Sequence, residues 1–127
     1  MSKRPTSPSD WAAERRARNR EGGRAEWIAS FALLLRGYRI LARRAKTPLG
    51  EIDLIALRGR RLAFVEVKRR ATQEAAEASI SSTQRARIRR AADLWIARNP
   101  RYQTYELGFD IVFLVARRWP RYLRNAL

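Results

Sequence analysis

The chain has 127 residues, of which 28 are Lys or Arg and 12 are Asp or Glu, for a net charge of +16; it has no Cys and no His. That length suits one domain with its own hydrophobic core, and the missing residue types exclude disulfides, thiol nucleophiles, His-based triads and Cys/His zinc sites. Any catalysis must draw on carboxylates, Lys, Arg, Tyr or Ser, and any metal on oxygen ligands of the kind that suit Mg²⁺ or Mn²⁺. So large an excess of base is the footprint of a phosphate-backbone binder. No run approaches the roughly 18 apolar residues of a membrane span, and the N-terminus lacks a signal-peptide core. A soluble, cytoplasmic protein with a nucleic-acid partner and no membrane partner is expected.

Residues 1–9, rich in Pro and Ser, read as a disordered basic arm, and 10–127 as a single α/β domain. From Asp10 a helix is expected, capped by Ser9 or Asp10. Its leading part, Glu14 to Arg20, is polar all round, and Gly22-Gly23 interrupts it. Beyond them Trp27, Ile28, Phe31, Leu34 and Leu35 fall on one stripe, which predicts a core-facing helix ended by Gly37. Tyr38–Lys46 alternates as a first strand. Glu51–Leu57 and Leu62–Lys68 form two more, joined by a type II′ turn with Gly59 in its first central position. Ala71–Ile80 is an Ala/Glu-rich connector. Ser82 is expected to cap a helix over Thr83–Ala97 with the stripe Ile88, Ala91, Ala92 and Trp95, stopped by Asn99-Pro100. Phe109–Ala116 is apolar throughout, the pattern of a strand buried on both faces. The tail from Trp119 suits a short strand or a helical turn. The order predicts a small α/β sandwich whose central sheet is flanked by helices.

The second and third strands carry ionised residues inside otherwise buried runs, where charge is rare unless paired or bound to metal. Strand alternation puts Glu51, Asp53, Ile55 and Leu57 on one side of the second strand, and Leu62, Phe64, Glu66 and Lys68 on one side of the third. With the Gly59 turn, Ile55 pairs with Phe64 and Asp53 with Glu66, whose Cβ atoms would lie ~5 Å apart, while Glu51 opposes Lys68. Two facing carboxylates repel unless a cation or a shared proton relieves them. They suit Mg²⁺, with Lys68 beside it to orient water or offset charge on a phosphate. An E-x-K triplet alone is more often a plain salt bridge, with Asp53 then bonded to nearby arginines.

These segments, Gly50-Glu51-Ile52-Asp53-Leu54-Ile55 and Phe64-Val65-Glu66-Val67-Lys68-Arg69-Arg70, resemble the YraN family of bacterial proteins. That family looks like a branch of the PD-(D/E)-x-K nucleases near the archaeal Holliday-junction resolvases. The resemblance covers about residues 22–127 and is weaker at Ala91 to Trp95, Phe109-Asp110 and Asn125-Ala126-Leu127. It implies a restriction-endonuclease-like sandwich with a mixed sheet of four to five strands. It further implies Asp53 and Glu66 as Mg²⁺ or Mn²⁺ ligands, Lys68 as the catalytic lysine and Glu26 as a further carboxylate of the site. On periodicity alone Glu26 lies off the apolar stripe and reads as a solvated helix residue. Gln84 matches a polar residue that often faces such sites. The chain departs from the family at Thr83 and at Gly108, where Lys and Arg are common. Asp110 is therefore expected to lack its usual ion-pair partner and to be structural.

Arg69, Arg70, Gln84, Arg85 and Arg87 are expected to contact nucleic acid, among wider clusters at Arg15–Arg20, Arg85–Arg90 and Arg117–Arg124. Each cluster alone suits a solvated face; together they would neutralise several phosphates. For Trp11 and Tyr102, packing is favoured over stacking on bases. Two functions remain open: a Mg²⁺-dependent endonuclease acting on DNA, with branched DNA and a homodimeric assembly among its options, and a non-catalytic nucleic-acid binder that keeps the nuclease fold. Adhesion to membranes ranks last, for want of an amphipathic helix with exposed aromatics.

Overall fold

The computed structural model describes residues 23–70 and 81–127. The expected arm, the helix start at Asp10, Trp11, the arginines before Gly22 and the connector Ala71–Ile80 lie outside the described residues. Residues 23–35 form helix α1. Strands β1 (Arg39–Thr47), β2 (Gly50–Arg58) and β3 (Arg61–Arg70) follow, then helix α2 (Ser82–Arg98), a 3₁₀ turn at Pro100–Tyr102, and strands β4 (Glu106–Val115) and β5 (Arg121–Leu123). The five strands make one sheet in chain order. Only β3 and β4 pair in parallel; the other neighbours are antiparallel. A parallel pair needs a long crossover, and α2 lies in it. This is the expected α/β architecture at the upper end of the expected strand count.

The two sheet faces bury different side chains. Ile55, Leu62, Phe64, Ile111 and Phe113 pack with Ile88, Ala91 and Ala92 of α2. Leu54, Ala56, Ala63, Val65 and Val112 pack with Ala29 and Leu33 of α1. The α2 stripe is the one expected, although the cap is Ser81, whose hydroxyl accepts from the Gln84 N–H at 3.2 Å. Ser82 is already the first helical residue. Tyr102 is buried and stacks on Trp95 at 5.5 Å, so it packs.

Helix α1 is turned about its axis relative to expectation. The residues against the sheet are Ala25, Glu26, Ala29, Ser30 and Leu33, while Trp27, Ile28, Phe31, Leu34 and Leu35 are exposed. The helix carries two stripes with the same period. The one with small side chains faces the sheet, where Ala and Ser let the backbone come close. Two arginines of β1 fix that choice: Arg43 Nε donates to Ser30 Oγ at 3.2 Å, and Arg44 Nε to Glu26 Oε1 at 3.0 Å.

The turn between β2 and β3 is as expected, with Arg58 opposite Arg61. Gly59 has φ 58° and Arg60 is not among the positive-φ residues, the φ pattern of a II′ turn. Asp110 has an ion-pair partner after all. Arg61 reaches across from β3 and grips its carboxylate with two nitrogens, at 2.7 and 2.8 Å. Gly108 makes this arrangement fit, because a Cβ there would come within 2.2 Å of Arg61 Nη2. The same guanidinium bonds Tyr38 Oη at 3.0 Å and Asn125 Oδ1 at 3.1 Å. Tyr122 Oη donates to Asp110, and so does the Asn125 N–H, at 2.9 Å. The tail then closes with the Leu127 N–H on Phe109 O at 3.1 Å, which accounts for Asn125-Ala126-Leu127 as a structural segment. Among the described residues, no helix is long and apolar enough to cross a membrane.

Candidate functional site

The site forms where strict alternation fails in β1 and β2. Arg44 has φ 51°, in the left-handed region, and the β1–β2 ladder passes from Arg43↔Leu54 to Ala45↔Ile52 without pairing Arg44 to Asp53. A regular strand would send Arg43 and Arg44 to opposite faces; here both reach α1. On the other face, Ala42 and Ala45 of β1 and Ile52 and Ile55 of β2 all join the α2 core, three residues apart in each strand. This corrects the expected grouping of Asp53 with Ile55: Ile55 points to α2, while Asp53 gathers with Glu51 and Glu26. Carboxylate oxygens of Glu26, Glu51 and Asp53 lie within 4.8 Å of one another.

The β2–β3 ladder follows the expected register down to Leu54↔Val65 and stops one pair short of Asp53 and Glu66. In place of that pair, Asp53 Oδ2 accepts the Val67 N–H at 2.8 Å. Glu66 is buried with Lys68, their charged atoms 3.4 Å apart, and Arg87 of α2 comes to 3.9 Å from the same carboxylate. The expected Glu51–Lys68 opposition gives way to these contacts. Glu51 pairs with Lys46 in the ladder and lies 3.8 Å from Arg44.

The electrostatics follow from this crowding. Burial, and then the Glu66 charge, push the Asp53 carboxyl up to about 7, against the Val67 N–H; Glu26 and Glu51 push the same way. Glu26 is also raised, chiefly by burial, although the bond from Arg44 pulls it down. Four carboxylates thus meet Arg44, Lys68 and Arg87, and Asp53 is the one without a basic side chain among its main influences. A divalent cation would relieve that repulsion. The donors are all carboxylate oxygens, the set that hard cations take. No site was expected at Glu51, yet its signal was present: it stands two residues before Asp53, on the same side of the strand.

The remaining expected residues are more dispersed. Arg69 and Arg70 are exposed at the end of β3, and Arg70 Nη1 bonds Arg69 O at 2.7 Å. Arg85 is exposed on α2. Gln84 is three residues before Arg87 and four before the buried Ile88, so it shares their side of the helix. Its Oε1 is buried and has no hydrogen-bond partner among the described residues. Arg87 also packs along Gly50, where a Cβ would meet its Cδ at 3.3 Å.

The sequence profile described as Uncharacterised protein family UPF0102 matches residues 25–114, which includes every carboxylate of the site. A UPF0102 protein of Chelativorans sp. (strain BNC1) is 55% identical over 84% of this chain and 86% of the relative. One from Methylorubrum extorquens (strain PA1) is 52% identical over 94% and 93%. Another, from Mesorhizobium japonicum, is 47% identical over 99% and 96%.

Proposed function

The chain belongs to the family UPF0102, and from its site we propose that it is a cytoplasmic, metal-dependent endonuclease of the PD-(D/E)-x-K type that hydrolyses phosphodiester bonds in DNA. The observation that carries this reading is the carboxylate cluster of Glu26, Glu51 and Asp53, with Glu66 and Lys68 beside it, in a chain of net charge +16. In a chain this basic, acidic side chains gathered where β2 begins and β3 ends are not there for solubility, and burial with the crowding raises the Asp53 carboxyl. Asp53 and Glu66 are the proposed metal ligands, with Glu26 and Glu51 completing the acidic wall. Bound there, Mg²⁺ or Mn²⁺ would acidify a water and offset charge on the phosphate.

The chain's own residues supply the rest. Lys68, held by Glu66, places a fixed positive charge where the phosphate would develop negative charge. Arg87 stands close enough to Glu66 to hold a phosphate oxygen at the same place. Arg69, Arg70 and Arg85 are exposed and available to the flanking backbone, and the buried Gln84 carbonyl, without a partner among the described residues, is open to a polar group of a ligand. The reading is tested by incubating duplex, single-stranded and four-way-junction DNA with Mg²⁺ or Mn²⁺. Metal-dependent cleavage is expected, falling on the order of 100-fold or more in Asp53→Ala and in Glu66→Ala. Cleavage that survives both substitutions would sink the site.

One observation favours a second reading, a nucleic-acid-binding protein without turnover. Arg44 already pairs with Glu26 and lies near Glu51, so two carboxylates have a cation within the chain. Steeply salt-dependent DNA binding with no cleavage on any of these substrates, in either metal, would select it.

A further inference from the structure

The side of α1 that turns away from the sheet carries the helix's largest apolar residues. Trp27 is 63% exposed, Phe31 56% and Leu35 66%, with Ile28 and Leu34 between them, and Trp119 of the β4–β5 connection is 81% exposed. Monomeric proteins rarely expose a contiguous apolar patch beyond about 300–600 Å². Together these six side chains present on the order of 700–800 Å², the area one partner contributes to a stable interface. The surface is also shaped. Between the helix and Trp119-Pro120 runs a groove of about 480 Å³ lined by Ile28, Phe31, Ala32 and Leu35, with Arg36 as its one charged residue. A two-fold contact requires a surface that fits itself, and a ridge of large side chains beside an apolar groove meets that requirement.

We propose that this face of α1, with Trp119, is the contact between two copies of this chain. An anionic partner would find only Arg36 within the groove, whose other lining residues are apolar. An adjoining cavity of about 660 Å³, formed in part by Arg69, Arg70, Arg117 and Arg118, shares Ile28 and Pro120 with the groove. Joining two copies through the groove sets both arginine cavities against one interface, so a single polyanion can span them. The apolar contact must overcome repulsion between two chains of +16, and salt screens that repulsion. Association therefore holds or tightens as salt rises, whereas DNA binding weakens.

Sedimentation of the full chain without nucleic acid, at micromolar concentrations in low and high salt, tests this. A dimer is expected that persists in high salt, with Phe31→Asp and Leu35→Asp each raising its dissociation constant about tenfold or more while the melting temperature of the dissociated chain stays unchanged. The chain has no Cys, so a second measurement is clean: Phe31→Cys is expected to be joined across copies by a short bismaleimide, and Arg98→Cys, exposed at the end of α2, is not. A wild-type chain that stays monomeric in both salts would overturn the proposal. So would a dimer indifferent to both Asp substitutions, equal cross-linking at both Cys positions, or a monomer whose melting temperature falls with Phe31→Asp, which would show the face covered from within the chain.

Discussion

At the start of β3, Arg61 closes on Asp110 with two short bonds, and Tyr38, Tyr122 and Asn125 add further bonds to the pair. At the far end of the same strand, Glu66 and Lys68 adjoin a group of carboxylates in which Asp53 accepts a backbone N–H and has no basic partner among the described residues. The titration of the two aspartates reflects this contrast. Burial alone would raise Asp110, but the bonds from Arg61, Tyr122 and the Asn125 N–H outweigh it and hold the carboxyl below its ordinary 3.8. Asp53 is pushed up to about 7, because burial is joined by neighbouring negative charge. The fold pairs one aspartate with a buried arginine and leaves another, two strands away, among carboxylates. The first is a clamp between strands, and the second is an acidic group that could hold a cation.

If the two ends differ in this way, substitutions must separate them. The largest effect on stability is expected from Asp110→Ala, which leaves Arg61 charged and unpaired in the core; urea denaturation should show a loss of about 3–5 kcal/mol. Gly108→Ala attacks the same clamp from the other side by crowding the guanidinium. It should cost about 1–3 kcal/mol, with metal affinity of the folded protein unchanged. Acid probes the clamp without mutation. Asp110 binds its proton less readily folded than unfolded, so its contribution is fully present above about pH 3.8 and is lost as pH falls through the lower folded value. Acid-induced unfolding followed by circular dichroism should show that component in the wild type and lack it in Asp110→Asn. A neutral-pH stability that ignores Asp110→Ala would erase the comparison.

Much of this was legible in the sequence. The β2–β3 register could be counted from Gly59, and the α2 stripe stood out because only one side of that helix is apolar. The α1 orientation was not legible, since two stripes share its period and size favours the wrong one; the decision rests with Arg43 and Arg44, which act from another strand. Asp53 could be picked out as a charge in an apolar run, and alternation put Glu51 beside it; the separation of Ile55 from that side accompanies the left-handed backbone at Arg44, which strict alternation cannot anticipate. Arg61 as the partner of Asp110 was missed for a related reason. The space that it fills is left by a glycine 47 positions later in the chain, and local reading weighs only what Gly108 lacks.

The carboxylate cluster as a cation site can be tested directly by titrating Mn²⁺ into the metal-free full chain and following free Mn²⁺ by electron paramagnetic resonance, beside Asp53→Asn. Asn keeps an acceptor for the Val67 N–H but removes the charge, so the fold should hold, and above pH 7 the metal-free variant should melt higher than the wild type. Saturable binding to the wild type is expected, with at least about tenfold weaker binding to the variant. Equal Mn²⁺ affinity in the two proteins, or no saturable binding to the wild type, would contradict a cation site here.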